Sequence, residues 1–537
     1  MRVARWFYAI VSVVWLLIMM PAASAAMSDA EELRRQLQKY TVAMAHETGI
    51  SALQRFYSGR DYQPVWLQSD SISVLHDIAL DFIAAAEAEG LDSHDYQLHQ
   101  LRQMRFNRLA AVPYELEFHT TRALLMLAED LRKGQLSAND VDPDWHIPQP
   151  SFDPVNFLLN AVASSRLQQS LADLPPKIPS YQLLKQALAK YRDLVARQVT
   201  WTRIPVVPVI RPNTSRPVIP LVRSRIIEAY HTHGTAEYNL SAIHGDNYDD
   251  ELVSAIKSFQ LQHGLNADGI IGENTRRALN MTPAEKVRRL RLNMERLRWL
   301  PRNLGDRYLL VNIAGFQLAA VKQDQQVLDM RIIVGRNYRS TPSFSSYISH
   351  MILNPYWNIP ASIAREDLLP RQQKDPTFFA SQGIKVYTGY DYSQAPIDPD
   401  TVDWSAITKG FPYVLRQDPG AKNALGVIKF LLPNSFSIYL HDTPDKSLFQ
   451  KEIRAFSSGC IRLEQPMVLA DFVMEGHKTQ TALTTQINTG RTATVSLSEP
   501  TPIYIVYLTV WVDGQRQIHY SPDTYGRDMR VLSSVPW

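Results

Sequence analysis

Apolar residues between positions 30 and 197 recur at spacings of three and four, as in Leu124, Leu125, Leu127 and Leu131 and again in Leu183, Leu184, Leu188 and Leu194. That period predicts helices with one buried face, and so a helical scaffold in the first part of the chain. Pro143, Pro148, Pro150, Pro154, Pro175, Pro176 and Pro179 cut the pattern into short helices joined by loops. Near its start, Tyr62-Gln63-Pro64-Val65-Trp66 reads as a packed aromatic loop. A proline-rich passage over 204–220 marks a boundary, because proline resists helix and favours extended links. Helical spacing returns with Leu252, Ala255, Ile256 and Phe259, followed by turns at Gly264, Gly269 and Gly272 and a short helix ending near Leu279. Residues 281–303 predict a basic amphipathic helix, with Arg288, Arg289, Arg291, Arg296 and Arg298 set among Leu290, Leu292, Met294, Leu297 and Leu300. Its charges are expected to form a solvated face.

Beyond Gly305 the period shortens. Runs rich in Val, Ile and Tyr at 308–313, 317–321, 327–334, 347–354 and 428–432, separated by polar turns, predict strands. Late strands are expected at 502–512 and 517–520, and a helix at 466–474. Between 363 and 420 the strand pattern lapses into Pro-, Asp- and Tyr-rich sequence with short helices at 365–371 and 375–381. A loop this long inside a compact domain is usually functional. The chain is thus a multidomain α+β protein with a helical first part and a β-rich last part.

Composition narrows the classes. At 537 residues and 45% hydrophobic content the chain has room for three or more packed domains. A net charge of only +3 gives no reason to invoke a nucleic-acid partner. The fourteen histidines are scattered; His231 and His233 are close, but no second pair gives zinc spacing, so neither a metal nor a cofactor is expected. Residues 1–26 read as an export signal: Arg2 and Arg5 precede an apolar run over 6–20, and Ala23-Ser24-Ala25 fits small-residue cleavage. The mature chain is therefore expected outside the cytoplasm, with an uncleaved anchor in the inner membrane as the alternative.

The chemistry concentrates in 437–463. Ser437-Ile438-Tyr439-Leu440 runs into His441-Asp442-Thr443-Pro444, and Ser457-Ser458-Gly459-Cys460-Ile461-Arg462-Leu463 closes the stretch. Cys460 is the only cysteine, which excludes an internal disulfide. An ordinary thiol titrates near ~8.5 and needs a base or a positive neighbour to react at neutral pH. His441 is positioned by sequence to be that base, and the amides of Gly459 and Cys460 to bind an oxyanion. Each residue alone also fits a structural role, a buried thiol and a core imidazole.

Gly459-Cys460-Ile461-Arg462 after the serine pair, with His441-Asp442-Thr443-Pro444 upstream, resembles the active-site motif of L,D-transpeptidases, cysteine enzymes that crosslink peptidoglycan. Ser458 stands where that family often has a second histidine. Val334-Gly335-Arg336 with Thr341-Pro342, Asn354 to Pro360, and Asn423-Ala424-Leu425-Gly426 match the same family. Asp268-Gly269-Ile270-Ile271-Gly272-Glu273-Asn274-Thr275 resembles the peptidoglycan-binding module, a small three-helix domain; the same residues also serve as turns and caps. The resemblance implies a helical scaffold domain at 27–221, a peptidoglycan-binding module at 222–282 and a β-rich catalytic domain at 283–537, in which 363–420 is a capping insertion and lid. Trp404, Tyr387, Tyr390 and Tyr392 are available to line the cleft beneath it or to pack within it. The implied reaction is attack by Cys460 on a tetrapeptide stem, release of D-alanine and formation of a 3-3 crosslink. His441 acts as base, Ser458 and Arg462 as positioning residues, and Tyr439 flanks His441. Peptidoglycan stem peptides and glycan are the implied partners, other cell-wall synthesis proteins are left open, the location is the periplasm, and carbapenems are expected to acylate the thiol. Hydrolysis of the same acyl-enzyme (a carboxypeptidase), a lipoprotein-anchoring or -releasing enzyme, and a non-enzymatic wall-binding scaffold are the competing readings.

Overall fold

The computed structural model describes residues 29–68, 71–106, 113–233, 240, 245–475 and 480–535; the expected export signal at 1–26 lies outside them. Among the described residues no helix is long and apolar enough to cross a membrane.

Two compact units divide the chain. The first holds the described residues up to Ala86, together with Asp92–Glu129 and Asp153–Leu174. It is helical, with Asp29–Ala43, Ile50–Ser58, Val74–Ala84, Pro154–Ala163 and the larger part of Pro113–Lys133, up to Glu129, as its main elements. Ser73 and Asp153 cap two of these by accepting from the first free N–H groups. The aromatic loop is packed as its sequence predicts. Glu117 accepts from the N–H groups of Val65 at 2.6 Å and Trp66 at 2.8 Å and from the Tyr57 hydroxyl at 2.9 Å, and Trp66 Nε1 donates to Thr121 at 2.7 Å.

The second unit holds Glu87–Leu91, Asp130–Phe152 and the chain from Pro175 onward. The helix α1 (Pro179–Ala196) therefore lies in this unit, although its sequence reads as part of the scaffold at 27–221. Its face of Tyr181, Leu184, Leu188 and Tyr191 shares a core with Leu290, Met294 and Trp299. Three helices follow: α2 (Ile219–His233), α3 (Asp250–Gln262) and α4 (Glu273–Leu279). Ile219, Val222, Ile226, Leu252, Ile256, Phe259 and Leu279 form their common core. Buried Gln260 organises the module's turn: its Nε2 donates to Asp268 at 3.2 Å, to the Ile270 carbonyl at 3.0 Å and to Thr275 at 3.1 Å, and its Oε1 accepts from Gly269 N–H at 2.9 Å.

The basic helix is α5 (Pro283–Arg298), begun by a capping box between Thr282 and Glu285. Its arginines form only part of the expected solvated face, with Arg288 exposed and Arg289 and Arg291 half-buried. Arg296 and Arg298 are fully buried. Arg296 pairs with Asp528 at 2.5 Å, whose other oxygen accepts from Thr509 at 2.5 Å; Arg298 pairs with Glu295 at 2.6 Å and donates to the Glu89 carbonyl. Side-chain charges at helical spacing say nothing of partners more than 200 residues away, and these partners turn a basic face into an internal ionic layer.

The β-rich part contains β1 (Arg307–Asn312), β2 (Gln317–Lys322), β3 (Gln325–Gly335), β4 (Phe344–Leu353), β5 (Trp357–Ile359), β6 (Ile384–Tyr387), β7 (Val414–Gln417), β8 (Ile428–Leu431), β9 (Leu440–His441), β10 (Ala455–Ser457), β11 (Ile461–Leu463), β12 (Ala493–Val506), β13 (Val510–Val512) and β14 (Ile518–Tyr520). Nine of these form one sheet in the order β10-β3-β11-β9-β8-β4-β12-β1-β2. Because β3 also pairs with β2, the ladder closes on itself and leaves few unpaired edges. Leu309, Val311, Ile332, Val334, Met351, Phe430, Leu440, Ile461 and Ile503 fill the interior. The strand expected at 502–512 is two elements, β12 and β13, and β12 starts at Ala493; its register with β4 slips between Ser496 and Thr501, around Pro500.

The insertion has its own architecture. β5, β7 and β6 make a separate three-stranded sheet, and Leu368, Leu369, Phe378, Phe379, Val386, Trp404 and Leu415 form a separate core. Trp404 is buried against Phe379 at 5.0 Å, Tyr387 and Tyr392 pack edge to face at 5.1 Å, and Tyr390 is exposed.

Candidate active site

Register brings the two ends of the 437–463 stretch together. β9 and β11 run parallel with Leu440 opposite Ile461 and His441 opposite Arg462, and the Ile461 N–H donates to the Tyr439 carbonyl at 3.1 Å. Residues two apart on a strand share a face, as do residues opposite each other. Tyr439, His441, Cys460 and Arg462 therefore lie on one face, across two adjacent strands. β8 adds Lys429, which stands opposite His441 on its other side.

Several contacts fix this arrangement. Lys446 Nζ bonds Asp442 at 2.7 Å and the carbonyls of Leu463 at 3.3 Å and Glu464 at 3.1 Å, which staples the end of β9 to the end of β11. Gly459 has φ +114, open to glycine and strained for other residues. Gly335 is required by space: a Cβ there would lie 2.1 Å from the Arg339 carbonyl and 3.1 Å from Gly459 Cα. Thr341 Oγ1 bridges the two loops, accepting from Gly335 N–H at 2.9 Å and donating to the Gly459 carbonyl at 2.7 Å. Ser457 closes the turn by donating to the Cys460 carbonyl at 2.6 Å and accepting from Gly459 N–H at 3.1 Å. The Gly459 amide, expected to be an oxyanion donor, is thus already engaged and has to be shared with Ser457 in that role.

His441 is buried, and its Nδ1 lies 2.5 Å from the Asp442 carbonyl. A carbonyl only accepts, so Nδ1 carries the proton and Nε2 presents the lone pair a general base needs. Burial lowers the imidazole pKa to about 3, with Arg462, Lys429 and Lys446 adding to the effect; His441 is neutral at physiological pH. Burial also raises the Cys460 thiol above its ordinary range, opposed by the Tyr439 N–H, Lys429, the Tyr439 hydroxyl and Arg462. The sulfur is partly exposed and lies 3.8 Å from the Ser437 carbonyl. The Tyr439 ring is 5.6 Å from the His441 ring, and its phenol interacts with Cys460 and Trp357. The resting pair is neutral thiol and neutral imidazole, suited to proton transfer during attack.

The remaining expected residues separate in role. Ser458 is held by Arg339 at 2.8 Å. That arginine also reaches Asp367 at 2.5 Å and Glu366 of the insertion, while Arg336 bonds Asp367 and the Phe456 carbonyl, each at 3.1 Å. The insertion is latched to the loop next to the thiol. Arg462 makes no side-chain hydrogen bond to a described residue, and its Nε is buried without an acceptor. Lys429 and Arg339 were not named by sequence, and Trp357, Thr341 and Ser457 were named only within motifs, without a role of their own. Lys429 alone carries a visible signal, a charge inside the apolar run Ile428-Lys429-Phe430.

A closed β-sheet that presents a lone thiol, a neutral imidazole and a phenol on one face is an arrangement suited to cysteine acyl transfer. Comparison with known families gives the class a name. Residues 306–481 match the L,D-transpeptidase catalytic domain, 235–279 a peptidoglycan binding domain and 51–188 a scaffold domain. Over its β-rich part the chain is therefore similar to the L,D-transpeptidases. A Haemophilus influenzae protein, named as a candidate L,D-transpeptidase, is 33% identical over 317 residues, which are 57% of this chain and 63% of that protein; the chain thus spans less than two thirds of that relative. An L,D-transpeptidase structure from Xylanimonas cellulosilytica is 11% identical, covers 56% of this chain and 99% of its own, and has a TM-score of 0.17.

Proposed function

We propose that this protein is an exported L,D-transpeptidase that forms 3-3 peptidoglycan crosslinks through a Cys460 acyl-enzyme. The observation that carries the reading is the shared sheet face of Cys460, His441 and Tyr439 within a catalytic domain of this family. Cys460 Sγ attacks the carbonyl of the third stem residue, meso-diaminopimelate, while His441 Nε2 takes the thiol proton. Collapse of the tetrahedral intermediate breaks the amide bond, and His441 returns that proton to the leaving D-alanine amine. The side-chain amine of a second diaminopimelate then attacks the thioester and passes its proton through His441 to the departing sulfur. Residues 1–26 direct export to the periplasm, and the module at 235–279 keeps the chain on its polymer.

The reading is tested by incubating the protein with tetrapeptide-bearing disaccharides and weighing the products. Crosslinked dimer with free D-alanine is expected. Tripeptide monomer alone would replace the transferase by a carboxypeptidase, and unchanged substrate would contradict the reaction.

A further inference from the structure

The face that carries the thiol also carries two cations that have no ion-pair partner among the described residues. Register sets Lys429, His441 and Arg462 side by side across β8, β9 and β11. Lys429 makes no ion pair or side-chain hydrogen bond with a described residue; its ammonium rests on the Tyr439 ring, 3.7 Å from the centroid. Arg462 also lacks one, and its Nε is buried without an acceptor. The nearby carboxylates are committed or distant. Asp442 is held by Lys446 at 2.7 Å and by Val427 N–H at 3.0 Å, Glu366 and Asp367 by Arg339 and Arg336, and Asp445 acts on Arg462 only through space. Withdrawing a cation from water without a partner is costly. Two of them beside a nucleophile form a site for an anion that arrives with the substrate.

We propose that Lys429, backed by Arg462, binds the terminal carboxylate of the donor stem peptide and so selects stems that end in a free acid next to the scissile bond. The identity of the stem rests on the reaction proposed above. The scissile nitrogen belongs to the terminal amino acid, so its carboxylate enters within one residue of Sγ, where Lys429, across β9 on β8 and within electrostatic reach of the thiol, can meet it. The selection also acts on the base. Lys429 and Arg462 both help to hold the His441 pKa down, and a docked carboxylate offsets their field, which makes the imidazole more basic when an acid-ended stem is in place.

Calorimetry on the full-length Cys460→Ala protein tests this, because binding is then read without turnover. The probes are the tetrapeptide stem and the same stem with a C-terminal amide. The acid is expected to bind roughly 10- to 100-fold more tightly, the range of one charge-assisted contact. Lys429→Met should remove that preference by weakening the acid alone, and Lys429→Arg should keep most of it. Equal affinity for acid and amide, or an equal loss of both in Lys429→Met, would overturn the assignment and leave Lys429 to the thiolate or to the fold. Failure of the reaction itself reads differently: the Cys460 protein would leave tetrapeptides unprocessed while acid-selective binding persisted.

Discussion

His441 is buried, and Arg462, Lys429 and Lys446 around it oppose a further positive charge, so the resting site stores no imidazolium-thiolate pair. Alkylation of Cys460 by iodoacetamide should therefore be slow at neutral pH and climb on the alkaline side of an ordinary thiol, with no step between pH 5 and 8. A step near ~6.5, where an ordinary histidine titrates, would show that the pair is ionised instead. The same imidazole makes stability depend on acid. Its folded pKa of about 3 lies below the ~6.5 of an unfolded chain, so between those values the unfolded state binds a proton that the native state does not. The contribution is complete above ~6.5 and is lost as pH falls toward about 3. Replacing His441 with Asn should flatten that part of the dependence of melting temperature on pH. Cys460 and His441 were legible as residue types, because chemistry restricts what a lone cysteine and a strand-end histidine can do. The engagement of Gly459 by Ser457 was not, since it depends on the path of one turn.

Helix α5 shows why charge patterns mislead at the scale of an element. Its arginines alternate with leucines as on a solvated helix, yet Arg296 reaches Asp528, far along the chain. Breaking a buried pair strands the remaining charge, so Asp528→Ala should cost about 3–5 kcal/mol in denaturant unfolding. A loss under ~1 kcal/mol would mean that the layer behaves like exposed charge. The insertion poses the reverse problem. Its helices were partly legible, but β6 and β7 are only four residues each, and the third strand of their sheet, Trp357–Ile359, comes from outside the insertion and pairs with β7. The latch of Arg336 and Arg339 onto Glu366 and Asp367 gives the lid reading a concrete form. Glu366→Gln with Asp367→Asn should speed amide exchange across 361–374 and change turnover on stem peptides, with melting shifted by no more than ~2 °C, because partly exposed pairs add little to stability. Unchanged exchange would reduce the latch to surface decoration.

At the scale of the whole molecule, the change from helical to strand period was legible, and it carried the α+β class and the order of its parts. Compactness was not, since α1 reads as scaffold and yet packs into the core with α5, a choice made by Tyr181, Leu184 and Leu188 finding Leu290 and Met294. The module's turn residues are consumed by Gln260, so its fold is explained without reference to glycan. What unites the parts is the claim that Cys460 is the nucleophile, with His441 as its base. Intact-mass spectrometry after carbapenem treatment tests it directly, because a β-lactam carbonyl stands in for the scissile amide of the stem. The wild-type protein should gain one drug mass on Cys460, Cys460→Ala should gain none, and His441→Ala should acylate slower by ~10²–10⁴, the usual contribution of a general base. If Cys460→Ala were labelled as fast as wild type, the nucleophile would lie elsewhere and the site described here would not be the active site.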